Sequence, residues 1–268
     1  MTPVTPAGAA ALLARVRERR PLIHHITNVV TVNDVAGVTL ALGASPVMAY
    51  APQEVEEMVS AAGALALNIG TPTVQSLEAM LLAGRRANTA GIPIVLDPVG
   101  AGATVFRTTH ALRLLADLRI ACVRGNAGEI AALAGRSGGV RGVDAAGRIE
   151  GVDRLARELA GRTGATVAAT GPVDVLTDGA RLLRIENGHP LLAQITGSGC
   201  MATAAVAAFL AVEPDHMAAA ASGLVCFEIA AERAAEVAGG PGTFRAALLD
   251  ALAALDAPTV LGRARIRA

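Results

Sequence analysis

Pro93-Ile94-Val95-Leu96-Asp97-Pro98-Val99-Gly100 is the stretch that decides the fold. An apolar run of strand length ends on a single carboxylate and breaks at once into a Pro/Gly turn. The same grammar recurs along the chain. Asn68-Ile69-Gly70-Thr71 closes one apolar run, Arg124-Gly125-Asn126 follows another and Thr170-Gly171 a third. Strands apolar at consecutive positions are buried on both faces, as in a parallel sheet covered by helices. The spacing predicts strands over 21–25, 46–49, 65–69, 93–97, 120–123 and 166–170. A hairpin is predicted over 173–177 and 181–185, turning at Asp178-Gly179. Helical patterns fill 32–42, 53–61, 74–90, 127–134, 154–162, 199–212, 215–238 and 243–255. This alternation is the signature of an α/β fold with a mostly parallel sheet, read as one domain over 1–268. In such sheets ligands bind beyond the carboxyl ends of the strands, so the polar, Gly-rich clusters are expected to converge on one site.

Composition narrows the function. The chain of 268 residues is 53% hydrophobic and 2% aromatic with no Trp, so its core is built from Ala, Val, Leu and Ile. Equal numbers of basic and acidic residues, 23 of each, carry no footprint for nucleic acid or an anionic membrane. Every basic residue is Arg. The absence of Lys excludes a Walker-type phosphate loop and a Schiff-base cofactor enzyme. Three Cys without a paired spacing are neither a disulfide framework nor a zinc site, and point to a reducing cytoplasm. Residues 9–20, rich in Ala, Leu and Arg, resemble a transit peptide in composition but read better as a first amphipathic helix. The apolar stretch 200–212 is too short to span a bilayer and reads as a buried helix.

Candidate chemistry gathers in a few places. Thr196-Gly197-Ser198-Gly199-Cys200 opens the apolar helix of 199–212. Two Gly let the backbone approach a ligand, and the helix start offers unpaired N–H groups and a positive dipole end. That combination binds phosphate, unless it is merely a buried helix start. Cys200 in the first turn is expected to have its thiol lowered from about 8.5, or else to be an inert core residue. Asp97 and Glu129, at neighbouring strand ends, suit Mg2+ held through water; Glu129 alone reads equally well as complementing a helix dipole. Arg124 grips phosphate oxygens or forms a surface ion pair. Gly100-Ala101-Gly102-Ala103-Thr104-Val105 lacks the third Gly of a dinucleotide fingerprint and reads as a Gly-rich substrate or phosphate loop. His24 and His25 are adjacent on a strand and point to opposite faces, which argues against a shared metal.

Taken in order, these motifs resemble the hydroxyethylthiazole kinase family of the ribokinase-like superfamily. The markers are His25-Ile26-Thr27-Asn28, Gly43-Ala44-Ser45-Pro46-Val47-Met48, Leu67-Asn68-Ile69-Gly70-Thr71, Leu96-Asp97-Pro98-Val99-Gly100-Ala101, Arg124-Gly125-Asn126-Ala127-Gly128-Glu129, Thr170-Gly171 with Asp174, and Gly197-Ser198-Gly199-Cys200. They cover nearly the whole chain; Gly128, where a Ser is common, is the main departure and leaves the acid in place. The resemblance implies a three-layer α/β/α fold and ATP-dependent phosphorylation of 5-(2-hydroxyethyl)-4-methylthiazole on its primary hydroxyl, in thiamine salvage. It implies a homotrimer with active sites at subunit interfaces. Asn28, Met48, Gly70 and Gly197 would line the thiazole pocket. Arg124, Thr170 and Gly199 would contact ATP, Asp97 and Glu129 would organise Mg2+, and Cys200 would stand where many relatives place an Asp base. A hydroxymethylpyrimidine kinase, a nucleotide-hydrate dehydratase and a non-catalytic nucleotide sensor are the competing readings. Cys200 disfavours the first two, and the joint presence of Asp97, Glu129 and Cys200 disfavours the third.

Overall fold

A computed structural model describes residues 4–135 and 151–268. In chain order it contains α1 (Pro6–Arg19), β1 (Leu22–Ile26), α2 (Val32–Ala41), β2 (Ser45–Val47), α3 (Val55–Ser60), β3 (Ala64–Asn68) and α4 (Val74–Ala90). Then come β4 (Ile94–Asp97), α5 (Val105–Asp117), β5 (Cys122–Asn126), α6 (Ala127–Leu133), α7 (Val152–Thr163), β6 (Thr166–Thr170), β7 (Asp174–Thr177) and β8 (Leu182–Ile185). A 3-10 turn (Pro190–Gln194) leads to α8 (Ser198–Leu210), α9 (His216–Val237), α10 (Pro241–Ala253), α11 (Ala257–Arg263) and β9 (Ile266–Arg267).

The strands form one nine-stranded sheet in the order β2-β1-β3-β4-β5-β6-β7-β8-β9. Pairing is parallel from β2 to β6 and antiparallel from β6 to β9. Alternating strand residues enter two separate cores. Ala64, Ala66, Val95, Cys122 and Ala168 join the side built from α1, α2, α8, α9 and α10. Leu65, Leu67, Ile94, Leu96 and Val123 join the side built from α3 to α7. The expected three-layer α/β/α arrangement is thereby present, with α1, α10 and α11 packed against α9. Small strand residues on the α8/α9 side match the Ala-rich α8. A Cβ at Gly223 of α9 would lie 3.0 Å from the Ala205 carbonyl and the Val206 Cα of α8. The two helices therefore touch backbone to backbone. Among the described residues no helix is long and apolar enough to cross a membrane.

The sequence reading misses α5, the 3-10 turn at Pro190–Gln194, α11 and β9. α5 begins with Val105 and Phe106 exposed and buries only Ala111 and Leu114, so its apolar spacing is a poor guide to its inner face. α11 is short and β9 has two residues. β5 also runs further than expected. Arg124-Gly125-Asn126 lies within the strand, registered against Ala168, Ala169 and Thr170, rather than in the turn after it.

Candidate active site

β1, β3, β4, β5 and β6 end along one edge of the sheet, and the start of α8 comes over that edge. β1 lies between β2 and β3, so the chain reverses its direction of travel across the sheet there. Such a switch point leaves a crevice at the strand ends. Asn28, just past β1, is fixed from both sides. Its Oδ1 accepts from the Val30 and Thr31 backbone N–H groups and the Thr31 hydroxyl, each at 3.1 Å. Its Nδ2 donates to Asn68 Oδ1 at 2.9 Å and to Cys200 Sγ at 3.3 Å. Asn68 Oδ1 also accepts from the Gly70 N–H at 2.9 Å, while Asn68 Nδ2 donates to Asp97 Oδ2 at 2.8 Å. Gly70 is required by this closeness, because a Cβ there would lie 2.8–2.9 Å from the Asn28 side chain. Thr203, one turn into α8 from Cys200, donates to the same Asp97 oxygen at 2.9 Å. One buried network thus ties β1, β3, β4 and α8 together.

Arg124 closes the other half of the site. Its Nη2 donates to Thr170 Oγ1 at 2.5 Å, and its Nη1 lies 3.7 Å from Asp97 Oδ1. The guanidinium presses against the first turn of α8, where a Cβ at Gly199 would overlap Nη1 and sit 2.9 Å from Nη2. Gly197 takes φ +85 as the N-cap of α8, backed against Thr31, and supplies no side-chain cap. The first amides of α8 therefore face the strand-end crevice beside a cation. Backbone N–H groups, the helix dipole and a guanidinium together form an anion cradle.

The two acids are buried beside each other. Asp97 Oδ1 is buried with no hydrogen-bond partner. Burial pushes the Asp97 carboxyl up, against the downward pull of Arg124, Thr203 and Asn68. Glu129 accepts from the Gly100 and Asn126 N–H groups at 2.8 Å each, and Asn126 returns a bond to the Glu129 N–H as a capping box. Burial, and then the neighbouring Asp97, push Glu129 up to about 7. Two hard oxygen donors, one with an orphaned buried atom, fit a divalent cation that keeps most of its waters.

Cys200 corrects one expectation. Its thiol is pushed up, first by burial and then by Asp97, and the donors around it do not reverse this. A helix start lowers a thiol only where solvent and cations can stabilise the thiolate. Here the sulfur is enclosed and faces a carboxylate.

The structure brings together Asn28, Gly70, Asp97, Arg124, Glu129, Thr170, Gly197, Gly199 and Cys200. Met48 follows β2 on the flank, half-buried and packed against the α8/α9-side core. His24 and His25 do diverge: His24 Nε2 bonds the Ala49 carbonyl at 2.9 Å, and His25 Nε2 bonds Thr39 Oγ1 of α2 at 3.1 Å. Gly100-Ala101-Gly102-Ala103 forms tight turns before α5, held by Arg107. Arg107 donates to the carbonyls of Ile69, Val99 and Gly70 at 3.1, 2.8 and 2.7 Å, and so ties two strand-end loops together. Thr203, Thr31 and Arg107 are not singled out by the sequence, and Asn68 reads there only as part of a strand-end cluster with no role of its own. Thr203 had a signal, as the one polar side chain within the apolar run that follows Cys200.

Comparison with known proteins decides between the kinase readings. The profile of the hydroxyethylthiazole kinase family matches residues 13–258. The chain belongs to that family. A hydroxyethylthiazole kinase of Methanoculleus marisnigri is 55% identical over 263 residues, covering 98% of this chain and 94% of that protein. One of Desulforudis audaxviator is 54% identical over 257 residues, covering 96% and 94%. The solved hydroxyethylthiazole kinase of Pyrococcus horikoshii superposes with a TM-score of 0.90 at 45% identity, over 97% of this chain and 98% of that one. A ribokinase-like protein of Enterococcus faecalis, 12% identical with a TM-score of 0.61 over 88% of each chain, shares the fold alone.

Proposed function

We propose that the strand-end site performs the family reaction, with the nucleotide held at Arg124 and the start of α8 and the alcohol held between Asn28, Met48, Gly70 and Gly197. Membership of the hydroxyethylthiazole kinase family makes the reaction ATP-dependent phosphorylation of hydroxyethylthiazole, a step of thiamine biosynthesis. The observation that carries the assignment is Arg124, which bridges Thr170 and Asp97 while lying on Gly199 at an uncapped helix start.

Phosphoryl transfer depends on alignment and charge neutralisation more than on covalent help. Arg124 and the amides of Gly199 and Cys200 meet the phosphate oxygens, and Thr170 holds the guanidinium in place. Asp97 and Glu129 would hold Mg2+, which when bound would supply neutralisation of phosphate charge. Asn28 orients Cys200; the missing Cβ of Gly70 lets Asn28 pack there, and that of Gly197 lets Thr31 back the start of α8. With its thiol pushed up, Cys200 is protonated in the resting site and acts as a positioning group there. It accepts the substrate proton only in the fraction of molecules that hold a thiolate. An ADP-release assay with hydroxyethylthiazole, with hydroxymethylpyrimidine and with no acceptor tests the assignment. ADP release that is independent of the thiazole alcohol refutes it.

We also read the chain as one domain, working in a reducing cytoplasm that suits its three buried free thiols. Our assembly reading is a homotrimer with interfacial sites. Val29 and Val30 are exposed in the loop after β1, and Val74, Val105 and Phe106 are exposed in the first turns of α4 and α5, which follow the ends of β3 and β4. Val29 N–H bonds Thr71 Oγ1 at 3.1 Å, and Arg107 reaches Gly70, so these loops adjoin. Apolar side chains gathered around a site mouth favour cover by another subunit. Light scattering with a mass of one chain, at concentrations where the enzyme is active, would refute this.

A further inference from the structure

Behind the Thr170 turn lies a pair of acids that the mechanism above leaves unused. Asp174 opens β7, Glu228 sits within α9, and α9 packs on β7. Both side chains are buried, at 1% and 7% exposure. Asp174 Oδ2 and Glu228 Oε2 are buried and neither finds a donor in the protein, and each carboxyl is among the groups that shift the other. An ionised carboxylate only accepts, so a bond between two of them requires a proton. Burial pushes both carboxyls up, Glu228 well above its ordinary range.

The surroundings give the same answer. Arg124 faces the pair from β5. Glu232, on the next turn of α9, is already tied to Arg265 at 2.6 Å and to Asn187 at 3.0 Å. Asp97 and Glu129 also look to Arg124. Four buried acids around one guanidinium cannot all be ionised, because each charge removed from water needs a partner.

The second oxygen of Asp174 faces the site. Asp174 Oδ1 accepts from the Gly171 N–H at 2.9 Å. Gly171 follows Thr170, whose hydroxyl receives Arg124. The sequence Glu228, Asp174, Gly171, Thr170, Arg124 is therefore a continuous run of contacts from α9 to the anion cradle.

We propose that Asp174 and Glu228 share a single proton, and that this acid pair is a positioning device that fixes the Thr170-Gly171 turn for the nucleotide. The inference rests on the assignment of Thr170 and Arg124 to ATP. The pair touches neither substrate. It acts by holding the Gly171 amide, and the shared proton lets Asp174 do so without an uncompensated charge. A charge-assisted O–H···O bond between carboxyls is short and strong, which suits a rigid strut.

The test compares Asp174→Ala, Glu228→Gln, Glu228→Ala and Thr170→Val by KM for ATP and for hydroxyethylthiazole, kcat and Tm. Asp174→Ala is expected to raise the ATP KM about tenfold, equivalent to one lost hydrogen bond of about 1.4 kcal/mol, and to leave the thiazole KM alone. Glu228→Gln supplies a permanent donor to Asp174 and is expected to stay near wild type in ATP KM. Glu228→Ala is expected to resemble Asp174→Ala. The wild-type minus Glu228→Gln infrared difference spectrum, with Asp and Glu labelled, should show a free-acid C=O band at neutral pH; the band of Glu129, itself pushed up to about 7, is present in both proteins and cancels. Equal impairment of Glu228→Gln and Glu228→Ala, or no such band, overturns the shared proton even if Glu228→Ala does not fold. Asp174→Ala with an unchanged ATP KM overturns the positioning role. If Thr170→Val also leaves the ATP KM unchanged, the nucleotide assignment itself has failed. If Thr170→Val raises it and Asp174→Ala does not, only the acid-pair inference has failed.

Discussion

Gly199→Ala separates function from stability at one atom. Gly199 is the second residue of α8, and an added Cβ would overlap Arg124 Nη1 and sit 2.9 Å from Nη2. Carbon contacts settle near 3.5–4.0 Å, so the guanidinium must retreat by on the order of 1 Å. The obstacle is the far end of a flexible side chain, so the helix need not move. Ala is also the better helix former, by up to about 1 kcal/mol. Fold stability should therefore hold or rise. The retreat removes Arg124 from Thr170, where Nη2 now donates at 2.5 Å, and lengthens the 3.7 Å approach to Asp97. A hydrogen bond to a charged group is worth about 1.5–3 kcal/mol, which is about a 10- to 150-fold loss in kcat/KM for ATP. Steady-state kinetics with ATP varied, beside a thermal melt, reads both quantities. An unchanged kcat/KM for ATP refutes the cradle. A fall in Tm matching the loss of activity refutes the claim that only Arg124 yields.

Three further outcomes follow from the same geometry. If the Cys200 thiolate accepts the substrate proton, kcat should climb as pH rises into the alkaline range, because burial and Asp97 hold the thiol up; Cys200→Ala should lower kcat far more than thiazole affinity, and Cys200→Asp should flatten the climb. A flat wild-type profile leaves Cys200 a purely positioning role. Glu129 has a folded value of about 7 against an unfolded one near 4.5, so the folded state holds the extra proton between them. Its contribution to stability is present below the unfolded value and is lost as pH rises through about 7. Without Mg2+, Tm should fall across that window, and less steeply in Glu129→Gln; equal slopes would contradict this. Arg107→Ala frees the carbonyls of Ile69, Gly70 and Val99, and should raise the thiazole KM by about tenfold while sparing the ATP KM, as initial rates with either substrate varied will show.

The sheet was readable because its strands are written twice over, as apolar runs and as the polar Gly clusters that end them. Asp97 and Gly70 could be placed at strand ends from that pattern alone. α5 was not readable, since its first turn is β-branched and aromatic yet faces solvent, as an inward-facing apolar pattern would not. Arg124 was placed one step too far along, because Gly125 reads as a turn although the backbone is paired to Ala169. The Cys200 thiol was misjudged for a deeper reason. A local motif reports the helix dipole, but what opposes it is burial and then Asp97, more than a hundred residues away in sequence. Thr203 and Asn68 share that Asp97 oxygen, and no one-dimensional spacing shows three distant residues meeting at one atom.

The bare start of α8 bears on how this enzyme can be engineered. A side-chain cap is worth about 1 kcal/mol, and α1, α4, α5, α6 and α9 each have one. Installing Ser or Asp at Gly197 is the ordinary route to a more heat-resistant variant. Here it is closed twice, by a φ of +85 and by Thr31 lying where the Cβ would go. The phosphates that fill the cradle are left to supply the missing partner. The protein should therefore be most vulnerable to heat and proteolysis when idle and firmest when nucleotide is plentiful. Attempts to stabilise it are better aimed at α10, whose N-cap Gly240 also lacks a side-chain cap and has open space where a Cβ would go, than at the helix that meets the substrate.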